Sequence, residues 1–541
     1  MRPQRLHRTL GWPQLTASGV GIIVGAGIYV LLAGATDEAG RGVWLSFALA
    51  GGLAALTALS YAELGSMYPS AGAEYEFTRR VAPPGVAFVV GWLMAAALVV
   101  ATAAVALGFG RYLDGLVGVD PRLGAAVLLV TICTVGLAGV AQSARLTVAL
   151  SAVQVGGLVV VIALGLGHVG DESLTAGLRP GPVLGGAALV FFAFVGFDEV
   201  ITLGEETESP TRVVPLALFA ALAISTLLYV GVALSALSVL GPEALAASRQ
   251  PLADVVEEVS GPGGARAVSV VALLATTNTS LLALTAASRV LYGMAVRGAL
   301  PAGFARLNRR AAPAAGLTAC AVIAGAFVAL GDLELVAAVT DVSVYAIFVV
   351  VHGTLILLRI YQPDRRRPFR VPWAIGPVPL PVAVALVTIV AMVPFLDRRA
   401  LGMGFGLAVL GAVLHAGLTG VGARRKPSPA AGGAAGAAVV PSGDEMRSDV
   451  FPRRRISTEQ ARAAASELRV DFLAVEYSLE EFRRGMEVEL EHGRADPDTN
   501  ISDDDLLVTA KIALAHLNEI PDYYTRLAEM ERAAADDWRG R

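Results

Sequence analysis

Charge is scarce in this chain. Asp, Glu, Lys and Arg make up 16% of its 541 residues, where an ordinary soluble domain carries about a quarter. Hydrophobic residues make up 55%, and the mean hydropathy is +0.63. A buried core alone does not explain that excess, so a single water-soluble globule is excluded. Cysteine is nearly absent. Cys133 and Cys320 are the only two, both inside apolar runs, so no disulfide framework is implied. No nucleotide-binding motif occurs, which argues against a nucleotide-driven pump. No nucleophile–base pairing or metal-ligand spacing occurs either. Neither a catalytic residue, a metal nor an organic cofactor is expected, and nothing calls for a nucleic-acid partner.

Long apolar sequence is what the chain has instead. Runs at Leu15–Gly34, Val43–Ala62, Val86–Leu107, Leu123–Ala141, Leu146–Gly167, Leu184–Gly196, Leu216–Leu240, Ala267–Ala287, Leu317–Leu330, Leu335–Leu358, Ala374–Leu396 and Leu401–Val421 give twelve candidate membrane spans. About 20 apolar residues cross a bilayer; the segments at 184–203 and 317–330 are short or interrupted. Loops rich in Arg and Lys stay in the cytoplasm. Arg2, Arg5 and Arg8, then Arg79 and Arg80, then Arg306, Arg309 and Arg310, then Arg365, Arg366, Arg367 and Arg370, then Arg424, Arg425 and Lys426 all fall on one side of such a topology. Arg398 and Arg399 are the exception. The expectation is a multi-pass protein of the cytoplasmic membrane, in contact with the lipid bilayer, with both termini inside. The first run resembles a signal peptide ending at Ala33-Gly34-Ala35, but its apolar core is too long for one.

The apolar sequence ends near Val421. Residues 422–445 are rich in Ala, Gly and Pro, the composition of a flexible tether. Residues 446–541 are charged, helical in pattern, and hold about half of the acidic residues. Ser457 before Thr458-Glu459-Gln460 is a capping box. Ser478 and Ser502 stand where two more helices begin, and Gly493 where one stops. The expected domains are therefore 1–421 in the membrane, 422–445 as linker, and 446–541 as a small cytoplasmic bundle of about four helices. His492, His516, Glu519 and Asp522 follow no metal-site spacing and read as solvated surface.

Residues Gly19–Leu31 read GVGIIVGAGIYVL. Glycine weakens a helix interior, yet it recurs at 19, 21, 25 and 27. Two readings stand. Gly-x-x-x-Gly lets another helix pack closely, or the helix comes apart and its backbone binds something. The sixth run carries a second interruption, Gly196, followed at once by Asp198. Transporters built from inverted repeats place substrate at two such broken helices. Unwound backbone in lipid costs several kcal/mol per unpaired group unless ligand, protein or water satisfies it. Helix N-termini offer N–H groups to a carboxylate, and helix C-termini offer C=O groups to an ammonium. An amino acid zwitterion fits both.

GVGIIVGAGIYVL, SYAELGSMYPSAGAEYEF, FFAFVGFDEVITLGEETESPTRVVP and ASRVLYGMAVRGALPAGFARLN follow one another over roughly residues 10–420. Together they resemble the amino acid–polyamine–organocation superfamily of permeases, in its bacterial, cationic-amino-acid-transporter-like branch. The resemblance implies an all-α membrane protein of about twelve helices: a LeuT-like five-plus-five inverted repeat, discontinuous in helices 1 and 6, with two further helices. It implies that Ile23, Gly25, Ala26 and Gly27 form the unwound turn of span 1, which breaks at Val24–Gly27. The N–H groups near Ala26 and Gly27 would hold the substrate carboxylate, and the Ile23 C=O the ammonium. Phe192, Ala193 and Val195 match the turn of span 6 whose carbonyls complete the ammonium site. Phe192 also matches an aromatic gate. Glu63 and Glu74 match positions read as structural.

The sequence departs from the resemblance in span 5. Some relatives carry a lysine there, thought to replace a sodium ion and to take part in proton coupling. Here the position is Gln154, whose amide carries no proton's charge at neutral pH. The coupling ion, proton or sodium, is left open among Gln154, Asp198, Thr276, Thr277, Thr279 and Ser280. Asp198 is the acid expected inside the bundle. The hydroxyls suit a sodium ion or bond their own helix carbonyls. Glu206 and Arg212 are a candidate inner-gate pair or a solvated face. Ala95, Ala96 and Ala97 in span 3 leave room for a side chain and offer it no charge. The expected function is a secondary active transporter moving a neutral amino acid by alternating access. The alternatives are a polyamine or organic-cation transporter or exchanger, and a transporter-like solute sensor signalling through its tail. The tail resembles a small uncharacterised helical domain and is a candidate for binding a regulatory partner.

Overall fold

The computed structural model describes residues 11–68, 73–139, 144–169, 177–202, 210–363, 365–424, 456–468, 477–490, 505–519 and 521–530, with isolated positions 174, 175, 207, 470, 472 and 475. The chain divides into two compact units, Met1–Ser428 and Pro429–Arg541.

The first unit is built of helices α1 (Trp12–Ile23), α2 (Gly27–Ala39), α3 (Val43–Met67), α4 (Ala73–Thr78), α5 (Pro84–Val117), α6 (Pro121–Leu137), α7 (Ala144–Gly165), α8 (Pro180–Val190), α9 (Glu199–Thr202), α10 (Pro210–Ala247), α11 (Pro251–Ser260), α12 (Pro262–Val296), α13 (Ala314–Leu330), α14 (Leu333–Tyr361), α15 (Leu380–Met392) and α16 (Arg398–Arg424). Eight stretches among the described residues are long and apolar enough to cross a membrane, and Pro121–Leu137, Ala314–Leu330 and Leu380–Phe395 are shorter apolar helices.

Local chemistry sets the boundaries. Pro13, Pro84, Pro121, Pro180, Pro251 and Pro262 lie at or next to helix starts. There a fixed φ helps and the missing N–H costs nothing. Asp120 caps α6 by accepting from the N–H groups of Arg122 and Leu123. Gly118 and Gly331 end α5 and α13 in the left-handed conformation. The run Ala374–Leu396 is not helical from its start. Ala374–Ile375 and Val378–Pro379 pair as a two-residue antiparallel hairpin, and α15 begins only at Leu380. Gly376 turns that hairpin at φ +61°, and Pro377 and Pro379 keep helix from forming earlier.

Helix α5 packs against α12 and α14, α3 packs against α14 and α10, and α10 packs against α1. Helix α16 is apolar but mostly uncovered: Phe405 and Val413 stand exposed on it, as do Val127 and Val130 on α6 and Val387 and Val390 on α15. Apolar surface of this extent suits lipid, not water. At the end of the bundle where α3 and α14 finish, Glu63 is fully buried. Its carboxylate accepts from Arg359 Nε at 3.0 Å and Nη2 at 2.5 Å and from the Val371 N–H at 2.7 Å, and Arg367 Nε lies 3.1 Å away. Glu63 thus ties the segment after α14 to α3.

The second unit packs α17 (Thr458–Glu467), α18 (Leu479–Glu489) and α19 (Leu506–Glu519) around Phe482, Met486, Ala513, Leu517 and Tyr524. Ser457 and Gln460 form the expected capping box, and Ser478 caps α18. Ser502, His492 and Gly493 lie outside the described residues. The cap of α19 is Asp505, which accepts from the N–H groups of Leu507 and Val508. Tyr524 donates to Glu489 at 2.8 Å, and His516 meets both of them. No group of three His, Cys, Asp or Glu side chains gathers for a metal among the described residues.

Candidate functional site

The glycine-rich first span does break. Helix α1 ends at Ile23 and α2 begins at Gly27. Between them Val24 has φ −74° and ψ 68°, and the Gly25 N–H turns back to donate to the Ile23 C=O at 2.7 Å. The first N–H groups of α2 have no carbonyl one turn before them within that helix, so its positive end faces the break. The sixth apolar element breaks as well. Helix α8 tightens into a 3-10 turn at Phe191–Phe194, Val195 is extended, and Gly196 sits at φ +109° before α9 resumes.

The two breaks lie against each other, antiparallel. Gly34 lies beside Leu189, Gly27 beside Ala193, Ile22 beside Gly196, and Gly19 beside Val200. Glycine is needed at Gly27, where a Cβ would stand 2.5 Å from the Ala193 Cα. Gly19 and Gly21 are packing glycines: one faces Ala221 and Val200, the other Ser151 on α7. Gly25 is different. It is half-buried, and a Cβ there meets Thr279 at 3.0 Å and otherwise only the Ile22 carbonyl, at 3.9 Å. Close packing thus accounts for Gly19, Gly21 and Gly27, while Gly25 lies in the break itself.

The breaks are joined by a residue that sequence reasoning missed. Tyr229, fully buried on α10, has its hydroxyl 2.7 Å from the Ile23 C=O and 2.9 Å from the Ala193 C=O. The Ile23 C=O accepts from the Gly25 N–H, and the one Tyr229 proton is shared between the Ile23 and Ala193 carbonyls. The Ala26 N–H donates to the Thr279 hydroxyl at 3.1 Å, and the Phe192 C=O accepts from the Val195 N–H. Phe192 is buried, and Phe191, Phe194 and Phe197 rather than Phe192 make the ring contacts described.

The other expected residues distribute as follows. Gln154 on α7 is fully buried at the depth of the span 1 break, between Ser151, which faces Gly21, and Gly157, which faces the Tyr29 hydroxyl. Its backbone carbonyl accepts from Tyr29 at 2.8 Å, and its side-chain amide has no partner among the described residues. Thr276 bonds its own helix, at the carbonyls of Ala272 and Leu273. Ser280 is buried without a partner among the described residues, and Thr277 is half-buried. Only Thr279 of this group reaches the break. Asp198 is buried beside Glu74 of α4, and Tyr61 of α3 lies close to both. Glu74, between the membrane helices, has its pKa raised by burial and by the neighbouring Asp198. It is thus a close neighbour of Asp198. Glu206 lies outside the described residues, and so does the Arg212 side chain.

A second acid was missed. Asp341 lies in an apolar run that averages strongly hydrophobic, so a window over that run hides it. It is fully buried on α14, and neither carboxylate oxygen has a partner among the described residues. The signal available was helical spacing: Glu334, Asp341, Tyr345, His352 and Arg359 recur at sevens and fours, one face of a helix.

Comparison with known proteins places the chain. Residues 10–415 match a family model described as amino acid permease, and residues 461–533 a model described as a protein of unknown function (DUF5661). The methylthioribose transporter of Bacillus subtilis is 29% identical over 395 residues, 69% of this chain and 86% of the relative. The branched-chain amino acid permease BcaP of the same organism is 28% identical over 391 residues, 68% and 84% of the two chains. Cationic amino acid transporter 3 of Arabidopsis thaliana is 29% identical over 397 residues, 68% of this chain and 64% of the relative. With a broken first apolar helix lying antiparallel to a broken sixth, and a family match over most of its length, the chain belongs to the amino acid permease family, whose members are membrane transporters and not enzymes.

Proposed function

We propose that this permease carries a neutral amino acid across the cytoplasmic membrane by alternating access, and that substrate binds at the paired breaks. The observation that carries this reading is the half-buried Gly25, in a turn flanked by the C-terminal end of α1 and the N-terminal end of α2. Opposite helix ends there match the two charges of a zwitterion. Ile22–Gly27, Ala193–Gly196, Gln154, Tyr229 and Thr279 bring no charged side chain to the break, which favours a neutral substrate. The bonds now made by Tyr229 and Thr279 stand in for the substrate: binding displaces them and frees the Ile23 and Ala193 carbonyls and the Ala26 N–H. The arginine-rich loops support both termini in the cytoplasm, and the two family matches support a membrane domain over 1–421, a linker over 422–445 and a helical domain over 446–541.

Uptake of labelled amino acids into proteoliposomes tests this. A branched-chain or other neutral amino acid should enter, and Gly25→Leu should abolish entry while leaving insertion intact. Normal uptake by that variant removes the site from the break. Uptake of polyamines alone replaces the substrate class, and specific binding without flux favours a solute sensor.

A further inference from the structure

We propose that Asp341 is the residue on which the permease carries a coupling proton; this rests on the transport reading above. Asp341 lies eight residues into α14, about 12 Å from Leu333 at its start, and one turn, about 6 Å, before Tyr345. Tyr345 donates to the Ala188 C=O at 3.3 Å, and its ring is 5.1 Å from that of Phe191, the first residue of the span 6 interruption. Tyr345, one turn on along the same face as Asp341, thus ties this part of α14 to the broken helix. An ionised carboxylate with no donor at either oxygen is a bare buried charge, at a cost of many kcal/mol. The neutral acid is the form this conformation accommodates. A proton needs no cavity. A sodium ion needs several oxygens around it, and a cationic side chain needs room that a fully buried carboxyl does not offer.

Among the described residues neither Asp341 oxygen has a hydrogen-bond partner, and the ionisable groups on the elements packed against α14 are these. On α14 itself Glu334 is taken by Arg111 of α5 at 2.8 Å, and Arg359 by Glu63 of α3. His352 shares a hydrogen bond with Ser60 at 2.8 Å. On α5, Asp114 lies 4.0 Å from Arg249, and the Tyr112 hydroxyl bonds the Tyr29 carbonyl. On α3, Tyr61 lies beside Glu74 and Asp198. On α4, Glu76 pairs with Arg79 and Arg297, and Tyr75 lies under Arg297. Helix α16 contributes Arg398 and Arg399 at its start and His415 near its end, while α8, its 3-10 continuation and α15 carry no ionisable side chain. The proton step is simple: water admitted when the α14–span 6 contact opens takes the proton from the Asp341 carboxyl on one side of the membrane and returns one on the other.

The test uses the full chain in proteoliposomes with a pH-sensitive dye inside and an inward gradient of about one pH unit. One proton coupled to each neutral substrate sustains up to roughly tenfold accumulation. Wild type should approach that value and acidify the lumen. Asp341→Asn should only equilibrate its substrate, with no acidification. Asp341→Glu should accumulate substrate with a shifted pH midpoint, and it decides the matter if the Asn variant does not fold. Tenfold accumulation by Asp341→Asn, or an unshifted Glu variant, overturns the proposal. So does wild-type accumulation driven by sodium alone, or a preference for arginine that Asp341→Asn abolishes. If wild type moves no amino acid by exchange at equal pH, the transport reading itself falls and takes the proton with it.

Discussion

The chain interrupts its first and sixth apolar helices by different means. In the first, α1 stops and α2 starts within three residues, all at negative φ, and the turn closes on itself through Gly25 and Ile23. In the sixth, the helix narrows to a 3-10 turn, runs extended at Val195 and reverses at Gly196, whose φ of +109° excludes ordinary side chains. The first break is held by outside partners, Thr279 and Tyr229. The second shares Tyr229, at the Ala193 C=O, but its reversal is written into its own backbone at Gly196. A glycine in the first is therefore there for what it leaves room for, and the glycine of the second for the conformation it permits.

That difference predicts an order of mutational effects. Gly27→Val should be the most damaging, because its Cβ meets backbone, the Ala193 Cα at 2.5 Å, which cannot rotate away. Overpacking of this kind costs about 1–3 kcal/mol or more, and fluorescence-detected gel filtration should show loss of folded protein. Gly196→Ala should cost about 1–2 kcal/mol through φ alone, since its nearest neighbour, Ile22, is 3.5 Å away; a lowered Tm with measurable uptake is expected. Equal damage at both positions would mean that the breaks are held in the same way. Tyr229→Phe keeps the ring packing against Phe47 and Phe194 but drops the hydroxyl. It should lower Tm by the equivalent of about 0.5–1.5 kcal/mol. If the hydroxyl stands in for substrate, that loss should vanish when saturating substrate is present.

The smallest expected effect is a pH slope. The raised pKa of Glu74 means that the native protein keeps a proton that the unfolded chain has lost above the ordinary glutamate range. Stability is then full below that range and falls as pH rises through the native value. Tm measured across pH should show the decline, and Glu74→Gln should flatten it. An unchanged slope would assign it to Asp198 alone.

Much of this was legible from residues. The apolar runs specify helices because lipid leaves a backbone no other way to satisfy its hydrogen bonds. The prolines and capping residues placed their ends. The break at Val24–Gly27 was readable from glycine content combined with the resemblance of four motifs, and Ser457 from its box. Other features were not. Ala374–Leu396 passed for one span because hydropathy does not register a proline-flanked hairpin. Asp505, which accepts from the N–H groups of Leu507 and Val508, was not singled out because several polar residues in a row all have capping chemistry.

Sequence order and side-chain chemistry alone decided that this chain lives in a bilayer, where its helices lie, and which two of them are weak in the middle. Those properties depend on neighbours along the chain, through transfer energy and helix propensity. Which glycine packs tightly and which stands in the break with room beside it was decided only in three dimensions, by Ala193, Ser151 and Thr279 arriving from other helices. The same holds for Tyr229, whose importance rests on two carbonyls 36 and 206 residues away. It holds for Asp341 too: only the packing of other helices leaves an acid in an apolar run fully buried with no hydrogen-bond partner among the described residues.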